Sequence, residues 1–172
     1  MALKTSRHSA GTLPNQADHA AGFPPSGVVP AVYAAAALSL VVALVHLWVA
    51  PGYFEVWRGY GSFFLAAASA QGLFAIALLR WPGRALPLAG IFGNLAVVAL
   101  YVVTRTFGVP FGPHATRAEE AGVLDIATTA AELATVVFLL SLLGGRVRGV
   151  AVNAVLLVGV GFWVLRLTGH LS

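Results

Sequence analysis

Five side chains stand out as able to hold a metal ion or a polar ligand: His46, Glu55, His114, Asp125 and Glu132. Each lies in or beside an apolar run. Imidazole with carboxylate suits zinc, copper or iron, and softer thiolate sites are excluded because the chain has no cysteine. The candidate ligands for a divalent metal are His46, His114, Glu55 and Glu132. No H-x-x-H or H-E-x-x-H spacing occurs, so no local metal motif supports the set. A bis-histidine haem is disfavoured, since no two histidines sit on apolar runs at clearly matching depth. A second set, Asn94, Tyr101, Arg105, Asp125 and Glu132, could hold a small ligand instead. No catalytic residues are expected: Ser39, Ser62, Ser69 and Ser141 lack a histidine at their depth, and no nucleophile elbow or phosphate-cradling loop appears.

Helical spacing gathers these residues. Asp125, Thr128, Thr129, Glu132 and Thr135 fall on one stripe of a helix. At 1.5 Å per residue, Glu132 lies about 10 Å further along than Asp125. Asn94, Tyr101 and Arg105 share a face, as do Ser39 and His46, and Gln71 is the polar residue of another apolar run. These faces are expected to meet in a common interior. An acid placed mid-membrane costs about 2.5–3.5 kcal/mol on insertion scales and raises a functional-site hypothesis. Each residue also has a plainer explanation. Asp125 could cap its helix, where the dipole favours a carboxylate, or pair with Arg105 or Arg166. Glu132 could be bonded to Asn94 or Gln71 as structural glue. His46 could be an interfacial histidine, His170 sits at the chain end, and the aromatics of "YFEVWRGY" fit an interfacial belt.

The elements that position them are membrane helices. Hydrophobic residues make up 59% of the chain, charged residues 9%, and the mean hydropathy is +0.86. A soluble domain carries about 25% charged residues, so this surface cannot be covered against water. The expected fold is all-α, a bundle of five transmembrane helices at about 28–50, 61–79, 86–103, 122–143 and 150–171. Each run approaches the about 20 residues needed to span. The runs lack the two-residue alternation of a barrel. Residues 1–27 read as a disordered cytoplasmic tail. They do not read as a cleavable signal, because the apolar run that follows exceeds an h-region.

Arginine and lysine bias sets the orientation. With the N-terminus inside, Lys4, Arg7, Arg80, Arg84, Arg146 and Arg148 are cytoplasmic, and Arg58, Arg105, Arg117 and Arg166 are outside or within a span. The positive-inside rule then favours a plasma-membrane protein with its N-terminus in and its C-terminus out. The net charge of +4 comes from arginines scattered at span ends. Nucleic acid is therefore not an expected partner. The lipid bilayer is, with a homo-oligomer or a membrane-complex partner as further candidates.

The stretch "TRTFGVPFGPHATRAEEAGVLD", residues 104–125, concentrates charge among prolines and glycines. Proline fixes φ and glycine permits turns closed to other residues. A rigid turn is expected, folded back over the helix ends and closed by Arg105 and Asp125.

This segment resembles a group of small multi-pass membrane proteins of actinobacteria that share a Y-x-x-[ST]-R-T-x-G-x-P-x-G-P loop. The matching residues are Tyr101, Thr104, Arg105, Thr106, Gly108, Pro110, Gly112 and Pro113, followed by Gly122, Asp125 and Glu132. His46 matches a histidine late in the group's first helix. Tyr53 stands where the group tends to carry a second histidine, which weakens any two-histidine reading. The resemblance covers roughly 28–141 and implies a multi-pass fold without implying an activity. Three functions stay open: an outward-facing pocket for a small ligand or metal ion, a structural or assembly subunit, and a small transporter or proton relay acting as an oligomer.

Overall fold

The structure, a computed structural model, describes residues 28–81, 83, 85–118, 122–153 and 156. Four long helices form the bundle: α1 Val28–Val56, α2 Arg58–Arg80, α3 Ala85–Thr106 and α4 Val123–Ser141. All four are long and apolar enough to cross a membrane. Helical backbone resumes at 145–153. Most of the expected fifth span, 150–171, lies outside the described residues, as do the tail 1–27 and Arg84, Glu119, Glu120, Arg166 and His170.

The largest departure from expectation is the first connection. The spans expected at 28–50 and 61–79 leave a loop over residues 50–60 between them. Instead α1 continues through Pro51 to Val56, and α2 begins at Arg58. Proline removes one donor and crowds one carbonyl, and α1 carries that defect within its last two turns. Trp57 alone is extended, with φ −168° and ψ 136°. Its carbonyl accepts from the amides of Tyr60 at 3.1 Å and Gly61 at 3.3 Å. One residue thus reverses the chain, and α1 and α2 pack side by side. The 29 residues of α1 span about 44 Å, more than the about 30 Å of a hydrocarbon core.

The other starts obey familiar rules. Pro87 sits in the first turn of α3, where its missing N–H has no helical partner to lose. Asp125 sits in the first turn of α4, and its Oδ2 accepts from the Gly122 amide at 3.0 Å, closing the N-terminal turn.

α1 packs against α2 and α4, α3 packs on α4, and α2 and α3 meet only briefly. The packed core lies toward the end of the bundle away from Trp57. It joins Ala35 and Ala36 of α1, Ala75 and Leu78 of α2, Ile91 of α3, and Val136 and Leu139 of α4. Small residues let helices approach where lipid gives no hydrophobic drive to association. Gly90 is the tightest point: a Cβ there would strike the Phe74 ring and lie 2.7 Å from Leu139 Cδ1.

Burial runs opposite to that of a soluble protein. Trp48 is 82% exposed, Leu73 68% and Val137 64%, while Ser39, His46, Gln71, Asn94, Glu132 and Thr135 are buried. Apolar faces turned outward, with polar side chains kept inside the bundle beside its apolar core, are what a lipid environment selects.

Candidate functional site

Toward the Trp57 end the bundle opens into a cavity of about 180 Å³. All four helices line it, and so does the loop after α3. α2 and α3 share little surface, and the cavity lies at the end of the bundle away from the alanine-rich packing.

Its deep end is polar. Ser39 Oγ donates to the backbone carbonyl of Gln71 at 3.0 Å and fixes α1 against α2. The Gln71 side chain then bridges two helices. Its Oε1 lies 2.8 Å from His46 Nδ1, and its Nε2 donates to Glu132 Oε1 at 3.3 Å. An amide oxygen only accepts, so the hydrogen of this bond is on His46 Nδ1, which leaves Nε2 as the ring's acceptor. Donors therefore point in one direction, from His46 through Gln71 to Glu132. His46 and Glu132 both line the cavity.

The sides are aromatic and aliphatic. Phe64 lies at the centre of a cluster, with ring centroids 5.6 Å from His46, 4.2 Å from Tyr53 and 5.4 Å from Phe63. Val45 and Val49 of α1 and Val97 and Leu100 of α3 complete the sides.

The lid is the loop 107–118. Gly108 and Gly112 take φ of +83° and +92°, a region that strains any residue with a Cβ. The Thr116 amide donates to the Val109 carbonyl at 3.0 Å, which folds the loop onto itself. Tyr60 of α2 pins it from below. Its hydroxyl donates to the Phe111 carbonyl at 2.8 Å and accepts from the His114 amide at 3.4 Å. Gly112 must be glycine for a second reason: a Cβ there would lie 2.6 Å from that hydroxyl. Val109, Pro110 and Phe111 face the cavity.

A charged latch joins α3 to α4 at the rim. Arg105 Nη2 donates to Asp125 Oδ2 at 2.7 Å. The same oxygen serves the α4 amide turn, so the two plain explanations for Asp125 hold together. The guanidinium also lies 5.1 Å from the centre of the Tyr101 ring.

Four of the five residues expected to hold a ligand, Tyr101, Arg105, Asp125 and Glu132, line one cavity, and His46 joins them. Asn94 does not line it. Its Nδ2 bonds back to the Gly90 carbonyl at 2.8 Å, so it is Gln71 that meets Glu132. The expected metal set does not converge. Glu55 lies on an exposed face near the end of α1, and His114 sits on the lid beside the Tyr60 ring, at 6.4 Å between centroids. Among the described residues, no group of three or more histidine and carboxylate side chains could hold a metal ion.

Two residues were undervalued by the sequence. Gln71 reads there only as an isolated polar residue, although it joins His46 to Glu132. Tyr60 reads as part of an aromatic belt, whereas it is buried and pins the lid. Its signal is faint: only its place three residues after Trp57, on the inward face of α2, distinguishes it. No protein-family model, curated protein or solved structure matches the chain.

Proposed function

We propose that this chain is a plasma-membrane protein of five spans, N-terminus inside, that binds a small, mainly apolar molecule with one polar end. The molecule occupies the cavity under the lid on the outer side, with its polar end on His46 and Glu132. Membership in the group that the loop motif resembles belongs to the same proposal. The observation that carries the reading is the polar deep end. Buried groups that served only as glue would be closed in a packed interior, as the alanine-rich half of this bundle is. Here His46 and Glu132 border open space of ligand size beneath a folded lid. A comparable apolar cavity of about 150 Å³ accommodates a benzene ring. The failure of the carboxylates and histidines to converge favours an organic ligand over a metal ion.

The test is thermal unfolding of the full chain in neutral detergent against a panel of small aromatic and aliphatic amphiphiles, beside Val97→Trp, which fills the cavity. A ligand at 100 times its Kd stabilises by about 2.7 kcal/mol. At least one compound is expected to raise the midpoint in the parent and not in Val97→Trp. If Val97→Trp folds normally and no compound acts on the parent, the cavity is a packing feature and the structural-subunit reading replaces this one.

A further inference from the structure

We infer that the cavity selects an organic cation: a protonated amine on a body about the size of one aromatic ring, with Glu132 as its counter-charge. The inference rests on the pocket reading above and names its ligand class.

Among the described residues, the charged groups facing the cavity are Arg105, Asp125 and Glu132, with His46 beside them. Arg105 and Asp125 neutralise one another at the rim through their 2.7 Å contact. Among the described residues, that leaves one acid without a cation, and it is the deepest one. Glu132 is 2% exposed. Its only hydrogen bond among the described residues is the 3.3 Å donation from Gln71, a neutral amide at the long end of the range. A buried carboxylate needs a cation and further donors to be stable in a low-dielectric interior. The described helices supply neither, and a primary ammonium supplies both, one charge and three donors. The donor direction from His46 through Gln71 to Glu132 leaves the carboxyl as the acceptor of the chain, which suits an incoming N–H group. Among the described residues, the one guanidinium that an anion would find there is already bound to Asp125.

The sides agree with the deep end. Tyr53, Tyr60, Phe63, Phe64, Tyr101 and Phe111 line the cavity, and aromatic faces attract cations more strongly when water is excluded. Phe64, tilted against His46 with ring centroids 5.6 Å apart, puts an aromatic ring beside the polar end.

The experiment compares three probes of nearly equal size on the full chain in neutral detergent at pH 7: 2-phenylethylamine, 2-phenylethanol and 3-phenylpropionate. Binding is read by calorimetry, with Val97→Trp as the control for uptake by detergent. A charge-assisted hydrogen bond is worth about 1.5–3 kcal/mol, so the amine is expected to bind about ten-fold or more tighter than the alcohol. The carboxylate is expected to bind weakest. Glu132→Gln keeps the shape and is expected to bring amine and alcohol to equal affinity. The amine-to-alcohol ratio in the parent decides the matter even if Glu132→Gln does not fold. Equal binding of the two, abolished by Val97→Trp, overturns cation selection and leaves the pocket standing. Binding of none of the three removes the cation inference, and the wider amphiphile panel then decides the pocket by itself.

Discussion

Replacing Tyr60 by phenylalanine removes one oxygen and leaves the ring between Trp57 and the lid. The ring's packing, including the edge-on contact with Trp57 at 5.0 Å, is retained, so the change isolates the hydroxyl. That hydroxyl donates to the Phe111 carbonyl at 2.8 Å, within normal range for a good bond, and accepts from the His114 amide at 3.4 Å, which is long. A neutral hydrogen bond contributes about 0.5–1.5 kcal/mol net. The shorter bond sets the scale, and the pair together contributes about 1–1.5 kcal/mol to lid closure. On that scale 1.4 kcal/mol is a factor of ten. Local opening of 107–118 should therefore become about five- to ten-fold more frequent, without the helices unfolding. Hydrogen exchange by mass spectrometry reads this directly. The amides of Ala115, Thr116 and Arg117 are each bonded within the loop, and they should exchange about five- to ten-fold faster in Tyr60→Phe. Peptides covering 39–46 and 129–136 should be unchanged. Unchanged exchange in 107–118 would show that the loop is held by its own turns and that Tyr60 is no pin. Equal acceleration in the helices would show that the hydroxyl stabilises the bundle as a whole.

Other expectations follow from the same contacts. Gly90→Ala forces a methyl against Phe74 and Leu139 and should lower thermal stability by about 1–3 kcal/mol, whereas Gly93→Ala, with nothing within 4 Å of the new Cβ, should be neutral or slightly stabilising. Equal effects of the two would mean that α2, α3 and α4 are not in close contact at Gly90. Asp125→Ala loses both the latch and the α4 turn, whereas Arg105→Ala leaves the bond from the Gly122 amide to Asp125 Oδ2 in place, so the Gly122 amide should exchange faster in the first variant and not in the second; equal exchange in the two would refute the dual role of Asp125 Oδ2. Because the chain has no cysteine, a single cysteine at exposed His114 should react with an impermeant maleimide on intact cells and one at Arg148 should not. Labelling of Arg148→Cys alone would invert the proposed topology.

The bundle was legible because its signal is coarse. Long uncharged runs demand helices in lipid, and the i, i+3, i+4, i+7 stripe of Asp125, Thr128, Thr129 and Glu132 names the inward face of α4 whatever packs on it. The loop was legible as a lid because proline and glycine restrict the backbone locally, and because Arg105 and Asp125 bracket it with opposite charges. What stayed hidden is contact across sequence. Asn94 and Gln71 are both lone amides on apolar helices, and composition cannot say which meets Glu132. The answer depends on which of α2 and α3 turns its amide toward α4 at that depth, and α3 spends its amide on its own Gly90 carbonyl. The α1–α2 connection departs from expectation for a different reason. Pro51 and Gly52 carry turn chemistry, but their preference is overridden once the apolar α1 surface is continued against α2, and the reversal falls instead on Trp57.

How the helices are tied decides which of them can move to admit the proposed ligand. α1 and α2 are joined through Trp57 and fastened again by Ser39 to Gln71 and His46 to Gln71, so their separation is fixed at both the rim and the deep end of the cavity. α4 packs on α1 and holds Glu132 against Gln71. α3 is different. It shares little surface with α2, and residues 107–122 connect it to α4. At the far end it is clamped through Gly90. At the rim it is held to α4 by Arg105 and Asp125, with side chains 15% and 36% exposed. A partly exposed ion pair contributes little to stability, on the order of 1 kcal/mol or less. The rim of α3 and the Tyr60-pinned lid are therefore the low-cost points of opening. The polar deep end belongs to the part of the bundle that is tied most often and can keep its geometry while the entrance moves.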